Sequence, residues 1–232
     1  DQDVREFLTR ELIKRGIQLL PNSNIESVSK AESGFELSLS DGSVMETDLV
    51  MAATGRRPLI KGLGLENTIV QTDAWGCIKV DDQFRTQEPS VYAIGDVIGT
   101  PQLTPVAVAQ AMALSENLFA EVSKMVDYDE IPTAVFSQPN VGTVGLTEDQ
   151  ARDRGYEVAI FKSDFKPMKY SLAERNDRCL MKLVVDKETD KVLGAHMVGD
   201  DAGEIIQGIA VAIRAGAKKL DFDRTIGIHP TS

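Results

Sequence analysis

The chain has 232 residues, a length that suits one or two domains, and its 42% hydrophobic and 26% charged residues are the balance of a globular protein. A formal net charge of −11 argues against nucleic acid and against an anionic membrane surface as partners, and no stretch is long and apolar enough to span a bilayer. Cys77 and Cys179 form no close-spaced redox or zinc pair, and His196 and His229 are too few for a histidine-built metal site. So low a cysteine count points to reducing, intracellular surroundings.

In chain order, Val4, Phe7, Leu8 and Leu12 recur at helical spacing and predict a helix over 3–15, with Gly16 just past its end. IQLL at 17–20 predicts a short strand. FELSL at 35–39 alternates, and Asp41-Gly42 before SVMET signals a hairpin. DLVMAAT at 48–54 is a continuous apolar run, the pattern of a strand buried on both faces. At TGRRP, Gly55 allows backbone to approach a ligand and Pro58 stops regular structure. Turns and short strands follow over 59–90, including CIKVD at 77–81, where Cys77 reads as a small packed hydrophobe.

Val91 to Met112, VYAIGDVIGTPQLTPVAVAQAM, organises the rest. It predicts a buried strand (VYAIG), an acid at its carboxyl end (Asp96), a loop and a helix. Thr104 suits the N-cap and Pro105 the first helical position, where no donor is needed. An acid after an apolar strand, ahead of a helix N-terminus, is a layout that α/β folds use for nucleotide ligands, and it is equally the layout of a plain crossover. An alanine-rich helix is expected over 106–125, then a boundary at MVDYDEIPT. Beyond it lie short strands at TAVF, TVGL, EVAIFK, CLMKLVVD and KVLGAHMVG, a capping box at Thr147–Gln150, and a helix over 202–217. Strands gathered into hairpins with flanking helices read as α+β.

YAIGD followed by LTPVA, FSQPNVGTVGLTE at 136–148, LGAHMVG at 193–199 and the closing GIHPTS resemble, in order, segments of the FAD-dependent pyridine nucleotide–disulfide oxidoreductases. The resemblance implies an α/β remainder holding parts of the NAD(P)- and FAD-binding domains, followed by an α+β dimerisation domain. It implies the end of an NAD(P)-binding domain over 1–53, a second FAD-binding segment over 54–129, and the dimerisation domain over 130–232. It also implies a fragment, whose missing half carries the glycine-rich fingerprint and the redox cysteine pair. Such a piece is expected to be inactive alone.

The resemblance assigns FAD and NADPH as cofactors, with no metal. Asp96 is expected to accept hydrogen bonds from flavin ribityl hydroxyls, with Gly95 leaving room for close approach. Leu103 and Thr104, at the helix start, are expected to present backbone N–H groups and the positive dipole end to the flavin. Gly55, Arg56, Gln102 and Ala134, the last through its carbonyl, are candidate dinucleotide contacts. His229 is the expected acid–base, serving the cysteine pair of the other subunit of a homodimer, whereas His196 reads as packing. Gly227, two positions before His229, favours the glutathione-reducing branch over dihydrolipoamide dehydrogenases, which usually have histidine there. The HPT segment argues against mercuric reductases, and trypanothione-reducing relatives stay open. Met112 departs from relatives that place a substrate-binding arginine there. The expected substrate is glutathione disulfide, the role cell redox homeostasis, and the location cytoplasmic.

Overall fold

The computed structural model describes residues 1–120 and 122–231. It resolves into two compact units, one built from 1–23 with 128–232 and the other from 24–127.

The first unit is a five-stranded antiparallel sheet in the order β4-β5-β8-β7-β6. Its strands are β4 (Thr133–Val135), β5 (Val141–Gly145), β6 (Val158–Phe165), β7 (Cys179–Asp186) and β8 (Val192–Val198). Alternation, shifted by the bulge beside Val185, sends Val185, Val192, Ala195 and Met197 to one face, where they pack on Ile206, Ala210 and Ile213 of α4 (Ala202–Arg214). The other face sends Val141, Leu180 and Val198 against Val4 and Phe7 of α1 (Gln2–Lys14). Val184 and Val158 pack there on Ala151 of α3 (Glu148–Asp153). The predicted capping box is present: Thr147 Oγ1 accepts from Gln150 N, and the Gln150 side chain accepts from Thr147 N. Gly194 is required by close approach, because a Cβ there would lie 2.0 Å from the Leu146 carbonyl oxygen. A short helix, α5 (Lys219–Arg224), closes the unit, and its brevity hid it from a periodicity argument.

The α1 face of this sheet holds polar groups as well. Lys182 on β7 is buried, and its ammonium meets Asp1 Oδ2 at 2.9 Å, Asp3 Oδ2 at 2.6 Å and Glu148 Oε2 at 3.1 Å. His196, its cross-strand partner on β8, is buried as well.

The second unit begins with an antiparallel meander of β1 (Ile25–Lys30), β2 (Phe35–Leu39) and β3 (Val44–Thr47), with Leu37 and Leu39 buried. Asp41-Gly42 makes the expected turn, in which Asp41 Oδ1 accepts from Ser43 N at 2.9 Å. The later part carries α2 (Thr104–Phe119).

Five expectations are corrected, the first being CIKVD at 77–81, which forms only a single bridge between Ile78 and Thr72. IQLL at 17–20 and DLVMAAT at 48–54 form no strand. An apolar run becomes a strand only when neighbours take its backbone hydrogen bonds. The meander ends at Thr47, and Leu49 and Met51 are left 82% and 88% exposed. VYAIG is reduced to a single bridge between Tyr92 and Arg85, although Ala93 is buried. The helix expected over 106–125 stops at Phe119, with Ala120 as its cap, and position 121 lies outside the described residues.

Candidate functional site

Pairing of Arg85 with Tyr92 and the bond from Ala93 N to Phe84 O bring the chain to Gly95. Gly95 adopts φ +74°, a left-handed backbone that suits glycine, and opens a 3-10 turn over Gly95–Ile98. A side chain at Gly95 would begin 3.4 Å from Ala107 Cβ on α2. Gly99, again left-handed, closes the turn over Cys77, whose Sγ would lie 2.8 Å from a Cβ at that position. Ile78 N donates to Val97 O at 2.9 Å and pins the turn from below. Asp96 sits in this turn with an exposed side chain, and among the described residues its carboxylate has no hydrogen-bond partner.

Seven residues after Asp96, Leu103 is the N-cap of α2, not Thr104, and no side chain caps the helix. The extended backbone of Leu103 aims its carbonyl at Val106 N and Ala107 N, at 3.0 and 3.1 Å, so the helix is already under way at Thr104. Pro105 then lies in the first turn as expected. The Thr104 N–H donates to no described group and Pro105 has none to give, which leaves the start of α2 open to an acceptor.

Sequence reasoning missed one polar side chain here. Gln110 on α2 is fully buried; its Oε1 accepts from Gly95 N at 2.6 Å, and its Nε2 donates to Thr100 Oγ1 at 3.0 Å. The only sequence signal was a glutamine on the stripe of Val106 and Ala113, at i+4 and i+7 of a helix that otherwise turns apolar residues inward.

Gly95, Asp96, Gln102, Leu103 and Thr104 are thus gathered by one turn and one helix start. Gly55, at φ +101°, and Arg56 lie in an exposed irregular stretch of the same unit. No hydrogen bond or ion pair ties them to the Asp96 turn among the described residues. Met112 is 57% exposed on α2.

Ala134 and His229 belong to the other unit. Ala134 pairs with Gly142 on the sheet and lines a small cavity of about 190 Å³ with Phe136, Gly203 and Gln207. His229 is exposed on the closing segment, between Ile226 and Ile228, which are 95% and 83% exposed, and Thr231, whose hydroxyl donates to the Ile228 carbonyl. Ile228 and Pro230 border a cavity of about 860 Å³ with Met168, Lys169, Asp200 and Asp201. There Asp200 takes an ion pair from Lys169 at 2.7 Å and a hydrogen bond from the Tyr170 hydroxyl. The Lys169 ammonium, followed by the Tyr170 hydroxyl, holds the Asp200 carboxyl below the ordinary carboxylate range.

Both thiols are poor nucleophiles. Burial and then the Asp73 carboxylate raise the pKa of Cys77, and burial pushes Cys179 up to about 11. Among the described residues no cluster of histidine, cysteine and carboxylate could hold a metal, and no helix is long and apolar enough to cross a membrane.

An acid-bearing turn ahead of an open helix start is a layout that α/β folds use for nucleotide ligands, and here it precedes an α+β sheet unit. Residues 1–111 match the pyridine nucleotide-disulphide oxidoreductase profile and residues 131–232 its dimerisation domain. The chain belongs to the pyridine nucleotide-disulphide oxidoreductase family. Among individual relatives it is 48% identical to a glutathione reductase of Burkholderia cepacia, over all of this chain and 51% of that protein. It is 41% identical to the glutathione reductase of a Nostoc species, over all of this chain and 54% of that one. It is 45% identical to the chloroplastic/mitochondrial glutathione reductase of Pisum sativum, over 94% of this chain and 40% of that one. Among solved structures, the HOCl-induced flavoprotein disulfide reductase RclA from Escherichia coli superposes with a TM-score of 0.89 at 25% identity, over 99% of this chain and 53% of that one. The chain spans about half the length of the curated relatives it matches first.

Proposed function

We propose that the chain supplies the second FAD-binding segment and the dimerisation domain of a flavoprotein disulfide reductase, which passes electrons from NADPH to glutathione disulfide and so maintains cell redox balance. In this reading 1–53 closes the NAD(P)-binding domain, 54–129 serves FAD, and 130–232 pairs two copies in the cytoplasm. The observation that carries it is the unpartnered Asp96 carboxylate on the left-handed Gly95 turn, together with the open start of α2.

These residues fit a flavin. A carboxylate that accepts but cannot donate suits the hydroxyls of a ribityl chain, and the missing Cβ at Gly95 admits them closely. Leu103 and Thr104 offer the positive end of α2 to the negative charge of a reduced flavin ring. FAD, when bound, supplies hydride acceptance and electron transfer that no side chain here can provide. Gly55 and Arg56, Gln102 and the Ala134 carbonyl are proposed as dinucleotide contacts. His229 is proposed to hold the proton that a leaving substrate thiolate needs, acting on the cysteine pair of the other subunit.

The test is Asp96→Ala in the full-length protein. Losing a charge-assisted hydrogen bond costs about 1.5–3 kcal/mol, so flavin affinity is expected to fall tenfold or more while folding is retained. Undiminished flavin content after dialysis would remove the assignment. A second reading holds for the 232-residue stretch by itself. Its two thiols are buried and lie in different units, which favours a flavin-contacting pairing module without reductase activity. Steady NADPH-dependent reduction of glutathione disulfide by that stretch would exclude this reading.

A further inference from the structure

The inward stripe of α2 is Val106, Gln110 and Ala113, and Gln110 is its one polar member. A buried amide is costly unless both of its ends are met. Here they are met by two groups that bracket one turn: Gly95 N–H at 2.6 Å on the oxygen and Thr100 Oγ1 at 3.0 Å on the nitrogen. Asp96 lies between these two anchors. The left-handed Gly95 N–H has no sheet or helix partner, so the glutamine oxygen takes the place of a ladder acceptor.

We infer that Gln110 is a positioning residue for the ligand of this turn: it clamps residues 95–100 so that the Asp96 carboxylate projects outward at a fixed place. The inference rests on the FAD reading above, and it also specifies how the turn recognises that ligand. The Gly95 N–H is taken by Gln110, and the Asp96 carboxylate is the acceptor that the clamped turn presents. A carboxylate fixed in that place accepts from hydroxyl groups. The clamp holds the turn before any ligand arrives, which lowers the ordering cost of binding.

Three variants of the full-length protein test this, with Asp96→Ala alongside. Gln110→Leu leaves the Gly95 N–H buried and unpaired, and about a tenfold loss of FAD affinity is expected. Amide exchange across residues 93–100 is expected to rise, with exchange of β2 and β3 unchanged. Gln110→Glu keeps an oxygen for Gly95 and can accept from the Thr100 hydroxyl, so it is expected to recover most of the affinity. Thr100→Val removes only one anchor and is expected to fall between; it keeps the test alive should Gln110→Leu fold poorly. Faster exchange at 93–100 with unchanged FAD affinity would overturn the positioning role. Faster exchange throughout the unit, β2 and β3 included, would overturn it too, by making the glutamine a general packing element. Asp96→Ala retaining its flavin would instead remove the FAD reading beneath the inference, while the exchange data separately report whether the clamp exists.

Discussion

Replacing His196 with Gln should flatten the acid sensitivity of the five-stranded sheet. His196 Nε2 lies 3.1 Å from the Leu146 carbonyl oxygen, which can only accept, so Nε2 carries the proton. Nδ1 is then a buried acceptor with no hydrogen-bond partner. Protonating it would place a second buried cation beside Lys182. Burial is the largest cause lowering the imidazole pKa from 6.5 to about 4; the Leu146 hydrogen bond opposes it, and nearby positive charge, Lys182 the smallest part of it, adds to the lowering. Between those values the unfolded chain takes up a proton that the folded one refuses. Stability from this group is therefore complete above pH 6.5 and is lost as pH falls toward 4. Working the linkage from pH 7 down to pH 4.5 gives about 2 kcal/mol. Other groups packed against the sheet also titrate in acid; Glu148 of α3 is one, held low by Arg152 and then Lys182. A difference measurement cancels them. Amide exchange of β7 and β8, measured in wild type and in His196→Gln from pH 7 to 4.5, should show the wild type losing about 2 kcal/mol of its protection relative to the variant. A difference that stays constant across that range would refute the buried, neutral imidazole.

Three further outcomes are expected. In the full-length enzyme, His229→Ala should leave flavin reduction by NADPH intact and slow disulfide turnover about 10²- to 10⁴-fold, as measured by half-reaction kinetics. A mixed dimer of that chain with one lacking the redox cysteines should keep about half the activity if the histidine serves the other subunit, because two-fold symmetry leaves one complete site, whereas near-zero activity would mean that each chain uses its own. Gly194→Ala should lower the chemical denaturation midpoint by an amount equivalent to about 1–3 kcal/mol, because the new methyl would lie 2.0 Å from the Leu146 carbonyl oxygen; an unchanged midpoint would show that β8 gives way freely.

The antiparallel unit was legible from sequence because its signals are local. An apolar segment of strand length ending at the KETD turn marks β7 over Cys179–Asp186, and a capping box starts α3 where Thr147 and Gln150 stand. Residues 17–20 and 48–54 misled because an apolar run records what a strand would bury and not whether a neighbour is there to pair with it. For the candidate site, the sequence carried Gly95, Asp96 and the helix start together. Gln110 stayed hidden because its role depends on a contact across 15 residues between a helix interior and a left-handed glycine. His229 was visible only through the HPT context, since an exposed histidine has no packing signature.

The exposed stretch after β3 has a colloidal consequence. LVMAAT at 49–54 is six residues with no charge, no proline and no glycine, and Leu49 and Met51 stand free. That composition self-associates into cross-β stacks when its backbone is unpaired. Asp48 on one side and Arg56, Arg57 and Pro58 on the other are the gatekeepers, charge and a missing donor set against edge-to-edge growth. Neutralising Arg56 and Arg57 is therefore expected to raise self-association of this 232-residue chain, and light scattering equal to that of the unaltered chain would refute the gatekeeper role.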